Sequence, residues 1–313
     1  MAERCAVFLM GPTATGKTDL ALALAAAHPV ALINADSAQV YRGMDVGTAK
    51  PEPAVRAAHP HALMDFRDPS EPFSAGEFAR AAQAAAEAAF AEGRVPLLVG
   101  GTGLYFRAFA EGLADLPASD PAVRADLQAE AEERGWPAMH RRLAEIDPEA
   151  AERIHVQDGQ RILRALEVHA LSGRPLSALQ REQAVPPVAY PVFKAALWLP
   201  REELWRRIES RFRAMVAGGL VEETEALRAA GVPEDSPALR AVGYRQALAY
   251  LDGELDRDGL VAAGVVATRR LARRQLIWLR REAGINWFRA DDRGEQRQLM
   301  QRVEAFLAGQ GWA

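Results

Sequence analysis

The sequence predicts an α/β protein in which a parallel sheet is flanked by helices and interrupted by an α-helical insertion. Short apolar runs alternate with helical patterns over the first hundred residues, which is typical of a parallel sheet covered by helices. A glycine-rich loop of the phosphate-binding type follows the first apolar run. From residue 121 the pattern becomes helical, with Gly and Pro between the helical stretches and no strand-like run, so we expect an insertion there.

The predicted elements follow each other in the order that such a sheet requires. Apolar runs predict strands at residues 7–10, 30–33, 95–99 and 194–199. Ser74 and Glu77 form a capping box, which predicts the start of an alanine-rich helix that reaches about residue 92, before Gly93. Further helices are predicted at residues 123–134, 160–171, 202–217, 239–251 and 259–283.

Composition limits the classes of protein that the chain can form. Its 313 residues, 49% of them hydrophobic, suffice for a large core. We expect the chain to form a phosphate-loop domain (1–120 and 191–313) and a helical insertion (121–190). No apolar stretch approaches the roughly 20 residues that span a bilayer, and the chain enters its first strand without a signal-peptide pattern. We therefore expect a cytoplasmic protein without membrane contact, with the single Cys5 as a small core residue. The sequence does not indicate an oligomeric state, so a monomer is the default expectation.

The distribution of charge is more informative than its sum. The net charge of −4 argues, taken alone, against a nucleic-acid partner. Residues 191–289, however, carry 17 basic and 13 acidic side chains, and almost every cation of the chain is an arginine. Arginine forms the better fork for phosphates and bases. The last third of the chain is therefore compatible with binding to nucleic acid.

Residues 11–18, GPTATGKT, fit the phosphate-binding pattern G-x-x-x-x-G-K-[ST]. Successive N–H groups of such a loop converge on phosphate oxygens, and the N-terminus of the following helix adds a positive end. Lys17 would neutralise the terminal phosphate, and Thr18 would bind Mg²⁺. The pattern indicates a diphosphate or triphosphate without indicating the chemistry done on it. The predicted phosphate-binding residues are Gly11, Pro12, Thr13, Ala14, Thr15, Gly16, Lys17 and Thr18.

An acidic residue follows one predicted strand and is missing after another. Asp36 comes just after strand 30–33, and open α/β sheets bind ligands at the carboxyl ends of their strands, although a helix N-cap is the alternative role. Kinases and nucleotide hydrolases usually have a metal-linked acid after a further apolar strand. Strand 95–99 instead continues as Gly100, Gly101 and Thr102, which argues against ATP chemistry. The two glycines favour a close backbone approach to a ligand, or a bare turn.

Seven short motifs occur in a fixed order along the chain. The first three are GPTATGKT at 11–18, DSAQVYRGMDVGTAKP at 36–51 and GGTGLY at 100–105. The other four are QRILRALEV at 160–168, RIESRFRAM at 207–215, RAVGYR at 240–245 and RQLIWLR at 274–280. Together they resemble the tRNA dimethylallyltransferase family, also called isopentenyl-diphosphate:tRNA transferases. Eukaryotic members often carry a Cys/His zinc module near the C-terminus, so its absence from this sequence points to the compact bacterial form.

The resemblance implies a prenyl transfer. Members of this family transfer a dimethylallyl group from dimethylallyl diphosphate to N6 of the adenosine at position 37 of tRNAs, next to the anticodon, and Mg²⁺ is the implied cofactor. By resemblance, Asp36 is the base that accepts the N6 proton, and Arg211 stabilises the departing diphosphate, with a solvated helix face as its alternative. Thr13 orients Asp36 or the diphosphate through its hydroxyl, or makes a plain loop contact. The target base cannot react while it is stacked, so we expect it to be flipped into the protein.

The resemblance also implies which residues contact the tRNA anticodon stem-loop. Gln39 could pair with the adenine edge, because amide side chains bind adenine bidentately. Arg269 with Arg273, and Arg270 with Arg274, have helical i,i+4 spacing, which predicts a cationic ridge. The expected tRNA-binding residues are Asp36, Ser37, Ala38, Gln39, Thr102, Arg124, Gln160, Arg161, Ile162, Leu163, Arg164, Arg240, Gly243, Tyr244, Arg245, Arg273, Arg274 and Gln275.

Three other functions fit parts of the sequence. An adenylate isopentenyltransferase of the cytokinin type would transfer the same group to a free adenine nucleotide, but a small acceptor needs neither the insertion nor the basic segment 269–281. A P-loop small-molecule kinase would bind ATP at residues 11–18 and form a phosphorylated product. A nucleotide-gated binding module would use the same loop without any chemistry.

Overall fold

A six-stranded parallel sheet organises the larger part of the chain. The computed structural model describes residues 2–114 and 116–312, and for residues 183 and 184 only the backbone. In the six-stranded sheet the strand order is β3-β2-β4-β1-β7-β8, and every neighbouring pair is parallel; β5 and β6 form a separate antiparallel pair. The strands are β1 Ala6–Met10, β2 Val30–Asn34, β3 His61–Ala62, β4 Val95–Gly100, β5 Leu113–Ala114, β6 Gln183–Val185, β7 Val192–Trp198 and β8 Asn286–Arg289.

Helices fill the connections between the strands. Those before β5 are α1 Lys17–Ala27, α2 Pro53–Ala58, α3 Ala75–Ala91 and α4 Gly103–Glu111. Those between β5 and β6 are α5 Pro121–Arg134, α6 Trp136–Ile146, α7 Pro148–Arg153, α8 Gly159–Ser172 and α9 Leu176–Arg181. Those after β7 are α10 Arg201–Ala217, α11 Leu220–Ala229, α12 Tyr244–Leu251, α13 Arg257–Leu279 and α14 Arg293–Gly309. None of the helices in these described ranges is long and apolar enough to cross a membrane.

The first strand lies at the centre of the sheet and directs its carboxyl end toward the phosphate loop. All five residues of β1 are buried, as expected of a strand that has helices on both faces. Its last residue, Met10, is level with Gly100 of β4 and with Ala196 of β7. From β1 the chain runs to β2 and β3 on one side, and it reaches β7 and β8 on the other. Such a change of direction opens a crevice at the carboxyl ends of the strands, which is where ligands bind in open α/β sheets.

The chain divides into two compact units, each with its own apolar core. One consists of Met1–Ala110 and Ala189–Ala313, and the other of Glu111–Val188. The boundary that we expected at 120/121 lies at 110/111, because Leu113 and Ala114 pair with Val185 and Gln183 across the smaller unit. In that unit, helices α5 to α9 surround a core that includes Leu143, Ile162 and Val168.

The fold class is confirmed, and the element bounds differ where glycine or local capping intervenes. The capping box of α3 is present, since Glu77 N donates to Ser74 Oγ at 3.2 Å. The helix predicted at 239–251 begins only at Tyr244, because Gly243 has a φ of 101° and precedes the first helical turn. The short strands β3, β5, β6 and β8 were not predicted, because two to four residues are too few for a periodic signal. Cys5 is fully buried in the core, as expected, and burial raises the pKa of its thiol to about 11.

Candidate active site

The backbone of the phosphate loop, residues 11–16, depends on two glycines. Gly11 is packed against β7, since an added Cβ would lie 2.9 Å from Leu197 O. Gly16 has a φ of 82° and precedes α1 as its N-cap. Ala14 also adopts a positive φ, of 67°, which an L-residue other than glycine rarely does. The strand, the loop and the helix thus follow each other as the phosphate-binding pattern predicts.

Two side chains close the loop on itself. Thr15 Oγ1 donates to Pro12 O at 2.8 Å, and Lys17 Nζ donates to the same carbonyl at 2.9 Å. Thr15 is therefore turned away from the ligand side, whereas Lys17 and Thr18 line the adjacent cavity. Burial lowers the pKa of Lys17 to about 8; the carboxylate of Asp36 opposes this effect, and the guanidinium of Arg211 adds to it.

The cavity beside the loop has a volume of about 420 Å³ and combines phosphate-binding and acidic groups. It is lined from the loop and α1, from the turns that follow β2, from the end of β4 and from α10. Every lining residue belongs to the larger unit. The lining residues are Thr13, Ala14, Gly16, Lys17, Thr18, Asp19, Asp36, Gln39, Thr48, Ala49, Val99, Gly100, Arg206, Arg207, Ser210, Arg211 and Ala214.

Asp36 is held at the rim of β2 by its neighbours. The Asn34 side chain accepts from Asp36 N at 3.1 Å, and it donates to Asp36 O at 3.1 Å. Ala38 N donates to Asp36 Oδ1 at 2.9 Å. The other carboxylate oxygen, Oδ2, has no hydrogen-bond donor among residues 2–114 and 116–312. Because turns rather than a helix follow Asp36, the alternative role as a helix cap is excluded.

Arg211 reaches the phosphate loop from α10. Its Nη2 donates to Thr13 Oγ1. Thr13 N in turn donates to Gln275 Oε1 of α13 at 2.9 Å. Burial lowers the pKa of Arg211 from its usual value, and the charge of Asp36 opposes the shift. An arginine stays protonated in proteins, so Lys17 and Arg211 both place positive charge in this cavity, which Asp36 also lines.

Gln275 is placed differently from the expectation. We expected it to contact tRNA, but its carbonyl binds Thr13 N, and its Nε2 would lie 2.2 Å from a Cβ added to Gly101. The helical turn explains the difference, because Gln275 lies on a face of α13 that packs against the loop. Arg273 and Arg274, the two residues that precede Gln275, are exposed. The same packing requires glycine at position 103, because a Cβ added to Gly103 would lie 2.1 Å from Trp278 Cδ2.

A smaller chamber of about 80 Å³ adjoins the larger cavity. Thr13, Asp36, Thr48 and Arg211 line both spaces, so the proposed base lies at their junction. The remaining walls are mainly apolar and come from the helices α10 and α13 and from the turns near residues 47 and 241. They are Ala38, Gly47, Ile208, Phe212, Met215, Ala241, Val242, Thr268 and Leu271.

The turns after β2 bring several expected tRNA-binding residues together. Ser37 N donates to Thr102 Oγ1 at 3.0 Å, and Thr102 Oγ1 donates to Ser37 Oγ at 3.2 Å. Gln39 lines the larger cavity, and its Nε2 donates to Thr48 O at 3.0 Å. Gly100 allows β4 to approach β2, because an added Cβ would lie 2.1 Å from Ala35 O. Gly100 therefore allows a close approach between two backbone segments, at Ala35. The expected approach of Gly100 and Gly101 to a ligand stays a prediction.

In the smaller unit, the buried Glu167 interacts with two arginines that we expected to bind tRNA. It accepts from Arg164 Nη1 at 2.8 Å and lies 3.6 Å from Arg124 Nη1. Burial acts to raise the pKa of Glu167, but hydrogen bonds from Ser119 Oγ and Arg164 outweigh it and keep the pKa below its usual value. Sequence reasoning missed Glu167, although it belongs to the motif at 160–168 and falls one turn after Arg164.

Four of the residues expected to contact tRNA are buried. Ile162 and Leu163 lie in the core of the smaller unit, because they occupy the inner face of α8, while Gln160 and Arg161 are exposed. Gly243 and Tyr244 are buried in the larger unit, between the exposed Arg240 and Arg245. We expected each motif to contact RNA along its whole length, but successive residues of a helix point to different faces. Some positions of each helical motif therefore face the core and cannot face RNA. The buried positions are Ile162, Leu163, Gly243 and Tyr244.

The predicted cationic ridge on α13 is narrower than expected. Arg269 turns toward α10, where it pairs with Glu209 at 3.3 Å and lies over Trp205. Arg270, Arg273 and Arg274 are exposed. The ridge therefore consists of positions on one outward face of α13.

Two further features near the cavity were not predicted. Glu223 of α11 accepts hydrogen bonds from the backbone of the turns that follow β2, although it lies far from them in sequence. Arg206 and Arg207 line the larger cavity, and both bind Glu203 through distances of 2.6–2.9 Å. Arg207 opens the motif at 207–215, so the pattern could have indicated it. No local signal could have indicated Glu223.

Comparison with known families gives a consistent result. The family described as "IPP transferase" matches residues 39–282, and "Isopentenyl transferase" matches residues 5–59. A tRNA dimethylallyltransferase of Halorhodospira halophila is 54% identical over 304 residues, covering 96% of each chain. One of Alkalilimnicola ehrlichii is 52% identical over 308 residues, covering 97% of this chain and 96% of its own.

Solved structures have the same fold. The tRNA isopentenylpyrophosphate transferase of Bacillus halodurans is 34% identical, with a TM-score of 0.71 over 99% of this chain and 98% of its own. A eukaryotic dimethylallyltransferase, described as acting on tRNA, has a TM-score of 0.81 over 98% of this chain and 80% of its own; at 23% identity this is a likeness of fold. The chain therefore belongs to the IPP transferase family, together with the bacterial tRNA dimethylallyltransferases.

Proposed function

We propose that this protein transfers a dimethylallyl group from dimethylallyl diphosphate to N6 of adenosine 37 in tRNAs, giving N6-isopentenyladenosine and diphosphate. One observation carries the proposal: a phosphate loop and a carboxylate with a free oxygen, Asp36, line the same cavity. The names of the relatives support the same reaction.

The phosphate loop holds the leaving group of this reaction. As the bond between C1 and the diphosphate oxygen breaks, negative charge accumulates on the diphosphate. The loop amides, Lys17 and Arg211 oppose that charge from the cavity wall, and they cost little reorganisation because they are held in place beforehand. Arg206 and Arg207 add positive charge at the rim of the same cavity.

Asp36 acts on the other reactant. The adenine N6 lone pair is delocalised into the ring, so a base must accept the N6 proton as the new bond to C1 forms. Asp36 Oδ1 accepts from Ala38 N, which leaves Oδ2 for the proton. Thr13 lines both spaces, as Asp36 and Arg211 do, and its Oγ1 accepts the hydrogen bond that holds the guanidinium in place. The apolar walls of the smaller chamber keep water from the reacting carbon.

Thr18 and the substrate itself fit a bound Mg²⁺. Mg²⁺ prefers oxygen ligands and is commonly held by one or two protein groups together with substrate phosphates. The Thr18 side chain lines the cavity at the start of α1, and no group of three acidic, His or Cys side chains suited to a metal occurs in residues 2–114 and 116–312. A metal held mainly by the diphosphate fits this arrangement. When bound, it would neutralise charge on the leaving diphosphate.

The acceptor RNA is bound by arginines in each unit. In the smaller unit, Gln160, Arg161 and Arg164 lie on α8 and Arg124 lies on α5. In the larger unit, Arg273 and Arg274 lie on the outward face of α13. Phosphate contacts supply most of the affinity for RNA, while splayed bases supply specificity. We place adenosine 37 at Asp36, beside Ser37, Ala38, Gln39 and Thr102. Arg240 and Arg245 add exposed charge near α12. We further propose that the protein is a monomer and that it acts in the cytoplasm, where tRNA and the donor are both present.

A transfer assay tests the function. Purified protein, Mg²⁺ and radiolabelled dimethylallyl diphosphate are incubated with an anticodon stem-loop RNA or with AMP. We expect label in the RNA alone, and its loss in Asp36→Asn, with Asp235→Asn as an exposed control. Asp36→Asn keeps the side-chain volume and removes the proton acceptor, so the expected loss is a factor of about 10²–10⁴. Label entering only AMP would indicate the adenylate enzyme, and phosphorylation with ATP would indicate a kinase.

A further inference from the structure

Within the part of the chain that the structure describes, Glu223 is bonded to four donors and to no cation. Its Oε2 accepts from the backbone N of Asp45 at 2.7 Å and of Val46 at 2.8 Å. Its Oε1 accepts from Gly47 N at 2.9 Å and from Tyr244 Oη at 2.5 Å. The three amides lie in one turn of the chain after β2, and the carboxylate comes from α11, 176–178 positions later in the sequence. A carboxylate that binds successive amides holds that backbone in one conformation.

The segment that Glu223 holds, residues 45–49, is a wall of the proposed active site. Gly47 lines the smaller chamber, Thr48 lines both spaces, and Ala49 lines the larger cavity. The wall is fixed at other points as well, because Gln39 Nε2 donates to Thr48 O and Lys50 Nζ donates to Asp45 Oδ1 at 2.9 Å. Glu223 and Tyr244 attach its middle to the helices that follow β7, and Val46 packs against the same core.

Tyr244 completes the attachment from behind the wall. Its ring occupies the space that a side chain at Gly47 would need, since an added Cβ would lie 2.5 Å from Tyr244 Cζ. Burial and the neighbouring charge of Glu223 raise the pKa of Tyr244, so the phenol keeps the proton that it donates. The expected role of Tyr244 as a direct RNA contact is thereby replaced by a role in support of the loop.

We infer that Glu223 is a positioning residue that, with Tyr244, fixes the wall 45–49 opposite Asp36 and so sets where the acceptor base lies relative to the catalytic carboxylate. The inference rests on the proposed function and adds a residue to it. The phosphate loop has no contact with Glu223 among the described residues, so donor binding is expected to be independent of it.

Glu223→Gln tests the inference without changing side-chain volume. The new NH₂ group would face backbone N–H donors, so at least one of the two pairs of bonds is lost and the wall shifts. A displacement of about 1 Å near the reacting atoms lowers kcat by up to about 10²-fold. Isothermal titration of the Glu223→Gln protein with the unreactive donor analogue dimethylallyl S-thiolodiphosphate should give the same affinity and stoichiometry as titration of the wild type. Glu222→Gln, on the exposed neighbour in α11, is the matched control and should keep wild-type kcat.

Tyr244→Phe provides a milder variant that keeps the ring against Gly47 and removes one of the four donors. It should lower kcat less than Glu223→Gln, again with unchanged donor binding, and it decides the matter if Glu223→Gln does not fold. Wild-type kcat in both variants would overturn the inference and leave the function standing. A loss of donor stoichiometry in parallel with kcat would also overturn it, because that result indicates partial unfolding. If the wild type transfers nothing, the function fails and the inference fails with it.

Discussion

Lys17 has to remain charged in surroundings that disfavour charge. Burial lowers its pKa to about 8, and its amine donates to Pro12 O. The carboxylate of Asp36 compensates in part, whereas Arg211 repels it. Lys17 therefore loses its proton more easily than an exposed lysine, and only its protonated form can attract the diphosphate of the proposed donor. Its charge links the binding of the donor to pH.

Donor capture should decline as the pH rises through about 8, the pKa of Lys17 in the free enzyme. Below that pH the amine is protonated and attracts the diphosphate, and above it the attraction is lost. Bound diphosphate favours the charged form, so kcat at saturating donor should remain constant to higher pH. Initial rates at limiting and at saturating donor across this range check the prediction. A value of kcat/KM for the donor that stays constant through pH 8 and above would contradict it.

Helix α13 connects the packing of the larger unit to the phosphate loop. It packs against α10 where Gly264 meets Phe212, and an added Cβ at Gly264 would lie 1.8 Å from Phe212 Cζ. Three turns later the same helix presents Gln275 to Thr13, which also binds Arg211 of α10. The two helices therefore reach the loop as a packed pair, and a shift between them would alter both contacts.

Gly264→Ala should destabilise the protein and slow transfer. Overpacking of a dense interface costs about 1–3 kcal/mol of unfolding free energy, and the displaced helices would move Gln275 and Arg211 relative to Thr13. Chemical denaturation and the transfer assay measure the two effects. Gly309→Ala is the control, because Gly309 ends α14 with open space around it, so an alanine there should leave both quantities close to the wild type. A fully stable and active Gly264→Ala protein would show that the interface can adjust.

Much of the site could be predicted because its main groups are local in sequence. Lys17 and Thr18 follow from a short pattern between a strand and a helix, and Asp36 follows from the end of a strand. The contact of Gln275 with Thr13 and the role of Glu223 could not be predicted, since their partners are 262 and 176–178 residues away and the packing of α13 and α11 brings them close. Which residues of a motif are buried also depends on the tertiary fold, as Ile162 illustrates.

At the scale of the whole molecule, the net negative charge is compatible with RNA binding because exposed arginines are concentrated on particular faces. Arg270, Arg273 and Arg274 lie together on the outward face of α13, and none of them forms an ion pair within the described part of the chain. In the smaller unit, Glu167 partly neutralises Arg124 and Arg164 while holding them in place. The first group is therefore suited to long-range attraction, and the second to a defined contact.

The affinity for a stem-loop RNA should fall as salt concentration rises, and α13 should account for part of that fall. Each phosphate contact that is lost lowers the slope of log K against log salt by about 0.7–0.9. Arg273→Ala with Arg274→Ala should therefore lower the slope by about 1–2, measured by fluorescence anisotropy, with little change in donor binding. Arg213→Ala, which removes an exposed arginine paired with Glu209 on α10, is the control. An unchanged slope in the double variant would exclude α13 from the RNA interface.

The short antiparallel pair of β5 and β6 gives the smaller unit a particular architecture. Leu113 is opposite Val185, so the two points where the chain enters and leaves this unit are one strand spacing apart. Between them, helices α5 to α9 form a core without help from distant segments. Such a unit can be lengthened, shortened or replaced as a whole. These changes affect the connection between β4 and β7, but they leave the hydrogen bonds of the parallel sheet unchanged. Diversification of nucleic-acid recognition can then proceed without redesign of the chemical centre.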